Sequence, residues 1–378
     1  MPNSPRKSRF LPLAWLLLAS PWAPALAAPP ISVRGERVEL VILPAGGTLI
    51  DFHLRQRPLN PLNWEVPDTE TARSQLSAAP RGHFLCLDRW GPPSPAEARR
   101  GIPFHGEAAV GDWETTAPEQ DEQGQIALRQ RHTLSLARLD VERQVTLESA
   151  EQVIRVAEQV TNTGPLGRIY NMVQHPTIAP PFLDAETLID TNARRGFCQD
   201  VPVDERQFFD WPKANLGRAT VDLRHLEVEP GDQAVSDVCS FVFPEGVTWG
   251  WVTATHPGQR LVLGYVWRVS DYNWLNIWRF RQGERRLARG LEFGTTGLHQ
   301  PQAELLRQPE LLGQATFRHI DADETQRRTY WMFLAELPEN FAGVGTVQVT
   351  RTGLELQERK SDNPRRVTLT TQSLKPDP

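Results

Sequence analysis

Helix-period patterning, phosphate-binding glycine loops and a membrane-length apolar run are all missing from this 378-residue chain. The longest apolar run lies at the N-terminus and falls well short of the roughly 20 residues a spanning helix needs. No stretch is strongly basic, and the net charge is -5. Nucleic acid and anionic membrane are therefore excluded as expected partners. H-E-x-x-H, G-x-S-x-G and C-x-x-C are all absent, which removes the common metalloprotease, serine hydrolase and structural zinc readings. No metal or cofactor is expected. Of the three cysteines, Cys198 and Cys239 can pair, leaving Cys86 over. Methionine (3) and tyrosine (4) are scarce beside tryptophan (12). Tryptophan needs a partner for its N–H when buried, but its flat face suits a sugar ring, so this skew favours a carbohydrate ligand.

The first residues read as a targeting segment. Arg6, Lys7 and Arg9 precede the apolar run Phe10 to Ala19, and Ala25-Leu-Ala27 is an A-x-A cleavage site. Residues 1–28 are expected to be a cleaved signal, with the mature chain starting near Ala28 or Pro29. Residues 29–378 are expected to form one exported domain, periplasmic or extracellular.

That domain reads as all-β. Ile31–Leu43 and Thr48–Leu54 flank the turn Pro44-Ala-Gly-Gly47 as a hairpin. From Gln125 to Val160 apolar residues alternate with polar ones, predicting four consecutive meander strands. Ile169–Pro176 is a further strand, and strands continue from Phe241 to the C-terminus. Gly91–Arg100 reads as a proline-rich loop and Leu188–Ala219 as a long irregular one. Some sixteen or more antiparallel strands, by rough count, exceed a small sandwich and point to a large two-sheet structure.

Candidate site residues fall at strand ends. His105 lies in Pro103-Phe-His-Gly106, where glycine leaves room beside the ring. His175 ends a strand in Gln174-His-Pro176. Glu292 lies in Arg289-Gly-Leu-Glu-Phe-Gly-Thr-Thr-Gly-Leu-His299, a carboxylate in an apolar run followed by small residues. Burial there raises its pKa, and the glycines let a ligand approach the backbone. Asp88, Arg89 and Trp90 end a strand before the proline-rich loop and form a candidate cleft rim. Trp274, Asn276 and Trp278 share a strand face at period two, which suits either sugar contact or a packed sheet.

The Pro-Phe-His-Gly, Gln-His-Pro and Gly-Leu-Glu-Phe motifs, in that order, resemble the aldose 1-epimerase (galactose mutarotase) family across nearly all of residues 29–378. The resemblance implies a large antiparallel β-supersandwich and a sugar or oligosaccharide ligand. It implies that His105 contacts sugar hydroxyls, that His175 is general acid to the ring oxygen, and that Glu292 takes the proton from the anomeric hydroxyl. Thr295-Thr-Gly297 and His299 would wall the pocket. Two departures stand out. The family's sugar-binding aspartate has Asp271 and Asp210 as alternatives here, and its asparagine–arginine motif is replaced by Asp88-Arg89. A binding protein without turnover is the second reading. A polysaccharide lyase or hydrolase, using Tyr170 or Tyr272, is the third.

Overall fold

The computed structural model describes residues 28–66, 81–199, 207–216, 219–225, 235–282, 286–360 and 362–374. Residues 1–27, which carry the predicted export signal, lie outside the described residues. No described helix is long and apolar enough to cross a membrane.

Two large antiparallel sheets face each other. The first, here the site sheet, has ten strands in the order Ile31–Arg34, Val38–Leu43, Thr48–Leu54, His83–Leu87, Met172–Ile178, Arg286–Gly294, Trp274–Gln282, Val235–Val242, Arg195–Cys198 and Phe209–Asp210. The second, the back sheet, runs Leu188–Thr191, Trp249–His256, Leu261–Arg268, Thr325–Glu336, Val153–Asn162, Leu139–Glu148, Gln125–Leu134 and Glu114–Thr115. Its ninth strand, Glu119–Gln120, also pairs with Gln125–Leu134. The inward residues of both sheets make one apolar core, with Leu40, Phe52, Leu85 and Leu291 meeting Leu128, Val145, Val156 and Leu263. Burying such surface is the main stabilising term.

Within that core lies a polar cluster that sets the register of the central strand Met172–Ile178. Gln174 points inward and donates to Glu158 (2.5 Å) and to the Tyr272 hydroxyl (3.1 Å), while its carbonyl lies 3.2 Å from His83 Nε2. Glu158 is in turn paired with Arg143 at 2.7 Å. A one-residue slip would turn every side chain of the strand to the other face and break this cluster. With Gln174 held inward, Val173, His175 and Thr177 face outward.

A three-stranded sheet, Val344–Val349, Gly353–Glu358 and Arg366–Thr370, covers part of the back sheet's outer face. Val347, Leu354, Leu356 and Leu369 pack there on Trp251, Val266 and Trp331. Buried Asp190 anchors it by pairing with Arg224 (2.7 Å) and Arg359 (2.9 Å) and accepting from the Val344 amide.

The structure corrects four sequence expectations. Ile31–Leu43 is not one strand but two, Ile31–Arg34 and Val38–Leu43, which pair antiparallel about the turn at Gly35. Gln125–Asn162 holds three strands rather than four, because Gln125–Leu134 is continuous. Its polar middle reads as a break, yet Gln130 points inward and is satisfied by Arg143 and Thr115. The proline-rich loop contains a short helix, Pro95–Arg99, started by a Ser94/Glu97 capping box. The irregular stretch after Leu188 contributes the strands Leu188–Thr191, Arg195–Cys198, Phe209–Asp210 and Lys213–Leu216.

Candidate functional site

The outward face of five neighbouring strands floors the candidate site. Phe84, His175, Glu292, Trp278 and Val238 come from consecutive strands of the site sheet. With His105 and His299 from the loops above, they line a cavity of about 160 Å³. Trp64, Phe104, Gln199 and Ser236 complete the lining.

Glu292 is 1% exposed, and each of its oxygens has one neighbour. Trp90 Nε1 donates to Oε2 at 2.6 Å, and His175 Nε2 lies 3.1 Å from Oε1. Burial pushes the Glu292 carboxyl up to about 8, partly offset by the Trp90 hydrogen bond. Burial also pulls His175 down to about 3. The contact is therefore a hydrogen bond between uncharged groups near neutral pH rather than an ion pair. With Trp90 on Oε2, Oε1 is the oxygen that faces His175 Nε2. The other imidazole nitrogen, Nδ1, is 3.0 Å from the Thr177 hydroxyl. Phe84 stacks on the ring at 4.3 Å and 19°.

His105 sits at φ 64°, a left-handed conformation that histidine tolerates better than most residues. The Gly91 amide donates to its Nδ1 at 3.2 Å, so in the neutral ring the proton is on Nε2. Burial and the neighbouring His175 and His299 hold its pKa well below the ordinary histidine range. Gly106 is required for a different reason than space at the ring. It has φ 82°, and a Cβ there would lie 2.1 Å from the Leu87 carbonyl oxygen.

His299 joins the site as a third imidazole, its ring 5.8 Å from His105 and 4.8 Å from Trp90. Burial lowers it to about 4. Gly91 makes room for it, since a Cβ at that position (φ 99°) would meet the ring at 2.8 Å. Its backbone is held by Gln199, whose side chain accepts from the His299 amide (3.1 Å) and donates to Ser240 (2.8 Å) and to the Gly297 carbonyl (2.5 Å). Gln199 directly follows Cys198, which forms a disulfide with Cys239 across the sheet.

The structure thus brings His105, His175, Glu292, Trp278 and His299 together. The other sequence candidates lie off the cavity. Arg89 is buried but consumed by Asp88 (2.7 Å), Glu97 (2.8 Å) and Gln302 (2.8 Å), which ties two short helices to the rim. Asp271 sits in a turn and accepts from the Thr329 amide, and Asp210 is near Arg195 on the surface. Trp274 is core: it packs with Phe197 and Leu298 and donates to the Ala315 carbonyl. Asn276 is the cross-strand partner of Glu292 but is fully buried behind it, donating to the Thr296 carbonyl. Thr295 and Thr296 brace the turn instead of lining it, accepting from the amides of Met172 and Leu298. Tyr170 and Tyr272 point between the sheets, bonded to Arg328 and Gln174, so neither can serve a lyase-type reaction in this cavity.

The sequence reading missed Gln199, Trp64, Phe84 and the bond from Trp90. Trp90 carried a signal, since a tryptophan N–H at a strand end needs an acceptor. Gln199 was legible only through the Cys198–Cys239 pairing. Among the described residues, no group of three or more His, Cys, Asp or Glu is placed to hold a metal ion.

No protein-family model and no curated protein matches this sequence. Solved structures do match it in shape. A putative aldose 1-epimerase from Klebsiella pneumoniae superposes with a TM-score of 0.55 at 11% identity, covering 79% of this chain and 77% of that one. A galactose mutarotase related enzyme from Lactobacillus acidophilus gives 0.54 at 12%, covering 82% and 99%. An aldose epimerase homologue from C. elegans gives 0.53 at 10%, covering 82% and 100%. With its two large antiparallel sheets, the chain has the galactose mutarotase-like fold.

Proposed function

We propose that the protein binds a free sugar in this cavity and interconverts its anomers by proton exchange at Glu292 and His175. The observation that carries this reading is the buried Glu292–His175 pair, 3.1 Å apart, inside a small aromatic-walled cavity. At about 160 Å³ the cavity is small, which suits a single ring over a chain. Trp64, Phe84, Phe104 and Trp278 supply flat apolar faces for the carbon skeleton.

Anomer exchange needs one proton removed and one supplied. The anomeric hydroxyl loses its proton as the carbonyl forms, the bond from C1 to the ring oxygen breaks, and the ring oxygen gains a proton. Rotation of the open aldehyde and the reverse transfers close the ring on the other face. Near neutral pH, Glu292 holds a proton to give and His175 Nε2 is able to take one. Burial therefore favours Glu292 as donor to the ring oxygen and His175 as acceptor, the reverse of the roles implied by the family resemblance. Under this assignment the rate falls as pH rises through about 8, where Glu292 ionises. A rate that instead rises through that region would return the base role to Glu292.

Polarimetry on several aldoses tests the activity. Glu292→Gln and His175→Ala are expected to abolish acceleration over the spontaneous rate. A wild-type protein that accelerates no aldose would sink the reading. One observation favours a binding protein without turnover: apart from Glu292, no charged carboxylate or guanidinium lines the cavity among the described residues. In that case calorimetric sugar binding would survive Glu292→Gln and no sugar would be turned over. Export belongs to the same proposal, supported by the signal-like residues 1–27 and by a disulfide of a kind rare in reducing compartments. Fractionation of producing cells checks it.

A further inference from the structure

A second cavity lies on the other side of the molecule, a groove of about 790 Å³ on the outer face of the back sheet. Strand register writes this face as rows. Arg327, Gln159, Glu142 and Arg131 are successive cross-strand neighbours. Two residues along, Thr329, Ala157, Gln144 and Arg129 form the next row. The first row is partly self-satisfied, with Gln159 donating to Glu142 at 2.7 Å and Arg131 to Asp140 at 2.9 Å. Arg129 and Arg327 differ. Both are exposed, both line the groove, and neither guanidinium has an acceptor among the described residues. They stand three strands and two residues apart on a diagonal, about 16 Å at ~4.8 Å per strand and ~3.4 Å per residue. The floor between them is low at Ala157 and offers the amides of Gln144 and Gln159.

The chemistry of the lining narrows the occupant. Among the described residues no aromatic side chain lines the groove, so neither base stacking nor an apolar peptide face has a surface to use. The cations are all arginine, whose fork matches a carboxylate with two parallel hydrogen bonds. Arginine outnumbers the carboxylates Glu114, Glu142 and Glu158 in this lining, on a chain of net charge -5, so the excess of positive charge is a local feature and not an overall field. Amides and threonine hydroxyls between the cations can meet sugar hydroxyls. We propose that this groove is a second ligand site, for a linear acidic polysaccharide carrying carboxylates on its rings, held by Arg129 and Arg327. The proposal shares a saccharide ligand with the reading of the cavity but does not rest on turnover there.

The test is calorimetric titration of the full chain with an oligogalacturonate, with a neutral oligosaccharide of matching length as control. Wild type is expected to bind the acidic chain and to lose affinity with added salt. The double variant Arg129→Glu/Arg327→Glu changes only exposed side chains. It is expected to weaken binding tenfold or more, about the value of one charge-assisted hydrogen bond, at an unchanged melting temperature. Glu292→Gln is expected to leave this binding intact. No binding by wild type, or equal binding by the double variant, would overturn the proposal. So would polyglutamate binding as tightly as the oligogalacturonate, which would reduce the groove to a general anion surface. Arginine-dependent binding in a protein that turns over no sugar would leave the groove standing and remove only the activity proposed for the cavity.

Discussion

The chemistry of the site turns on one tryptophan. Trp90 holds Glu292 by a 2.6 Å hydrogen bond that favours the charged carboxylate, while burial opposes it. Burial wins, so the carboxyl stays protonated near neutrality. Trp90→Phe removes the opposing bond and keeps an aromatic ring. The Glu292 pKa is expected to rise further, and the alkaline limb of the rate profile to move to higher pH. A limb that stays in place or moves toward acid would mean that Glu292 is not the titrating group. Glu292→Gln removes the titration altogether, so its loss of activity is expected at every pH.

At the level of elements, the turn Thr295–His299 and the strand Arg195–Cys198 support each other. Gly297 lies against Trp274, and a Cβ there would approach the ring at 2.2 Å. Gly297→Ala is expected to cost about 1–3 kcal/mol through overpacking. It is also expected to raise KM, because Gln199 and His299 are held through the same turn. A denaturant titration and a KM measurement check both effects. The disulfide closes a span of 41 residues, worth about 4 kcal/mol in the chain-entropy account. The Cys198→Ser/Cys239→Ser variant is expected to lose that order of stability and to bind sugar more weakly, since Gln199 is the next residue. Much of this was legible in advance: the all-β class and the Pro44–Gly47 hairpin came from alternation and turn residues, and His105, His175 and Glu292 were singled out by short motifs at strand ends. Arg89, Trp274 and Asn276 were misplaced because period-two spacing tells which face a residue takes but not how deeply it is covered. Asp271 shares that fault, since a turn residue beside a motif need not point toward it.

For the whole molecule, stability should depend on pH asymmetrically. His83, His105, His175 and His299 are all buried and held below the ordinary value of 6.5. Their contribution is complete above that value and is lost as pH falls toward the folded pKa values, about 4 for His299 and about 3 for His175. Glu292 works the other way. Its contribution is complete below 4.5 and is lost as pH rises to about 8. Each group changes stability by up to about 1.4 kcal/mol per pH unit. Four groups act on the acid side and one on the alkaline side, so the melting temperature is expected to fall more steeply below pH 6.5 than above it. His299→Gln should flatten the acid slope and Glu292→Gln the alkaline one. Equal slopes in wild type would show that these groups do not dominate.

The strand Met172–Ile178 carries the body of the protein on one side and the site on the other. Gln174 is tied to the second sheet, while its neighbour His175 belongs to the ligand. The two demands therefore fall on alternate letters of the same word. Outward letters of five strands can be rewritten, and a different reaction tried, while the inward ones keep the scaffold standing. The turns above that face are less free, because an added Cβ at Gly91 would meet the His299 ring and one at Gly297 the Trp274 ring.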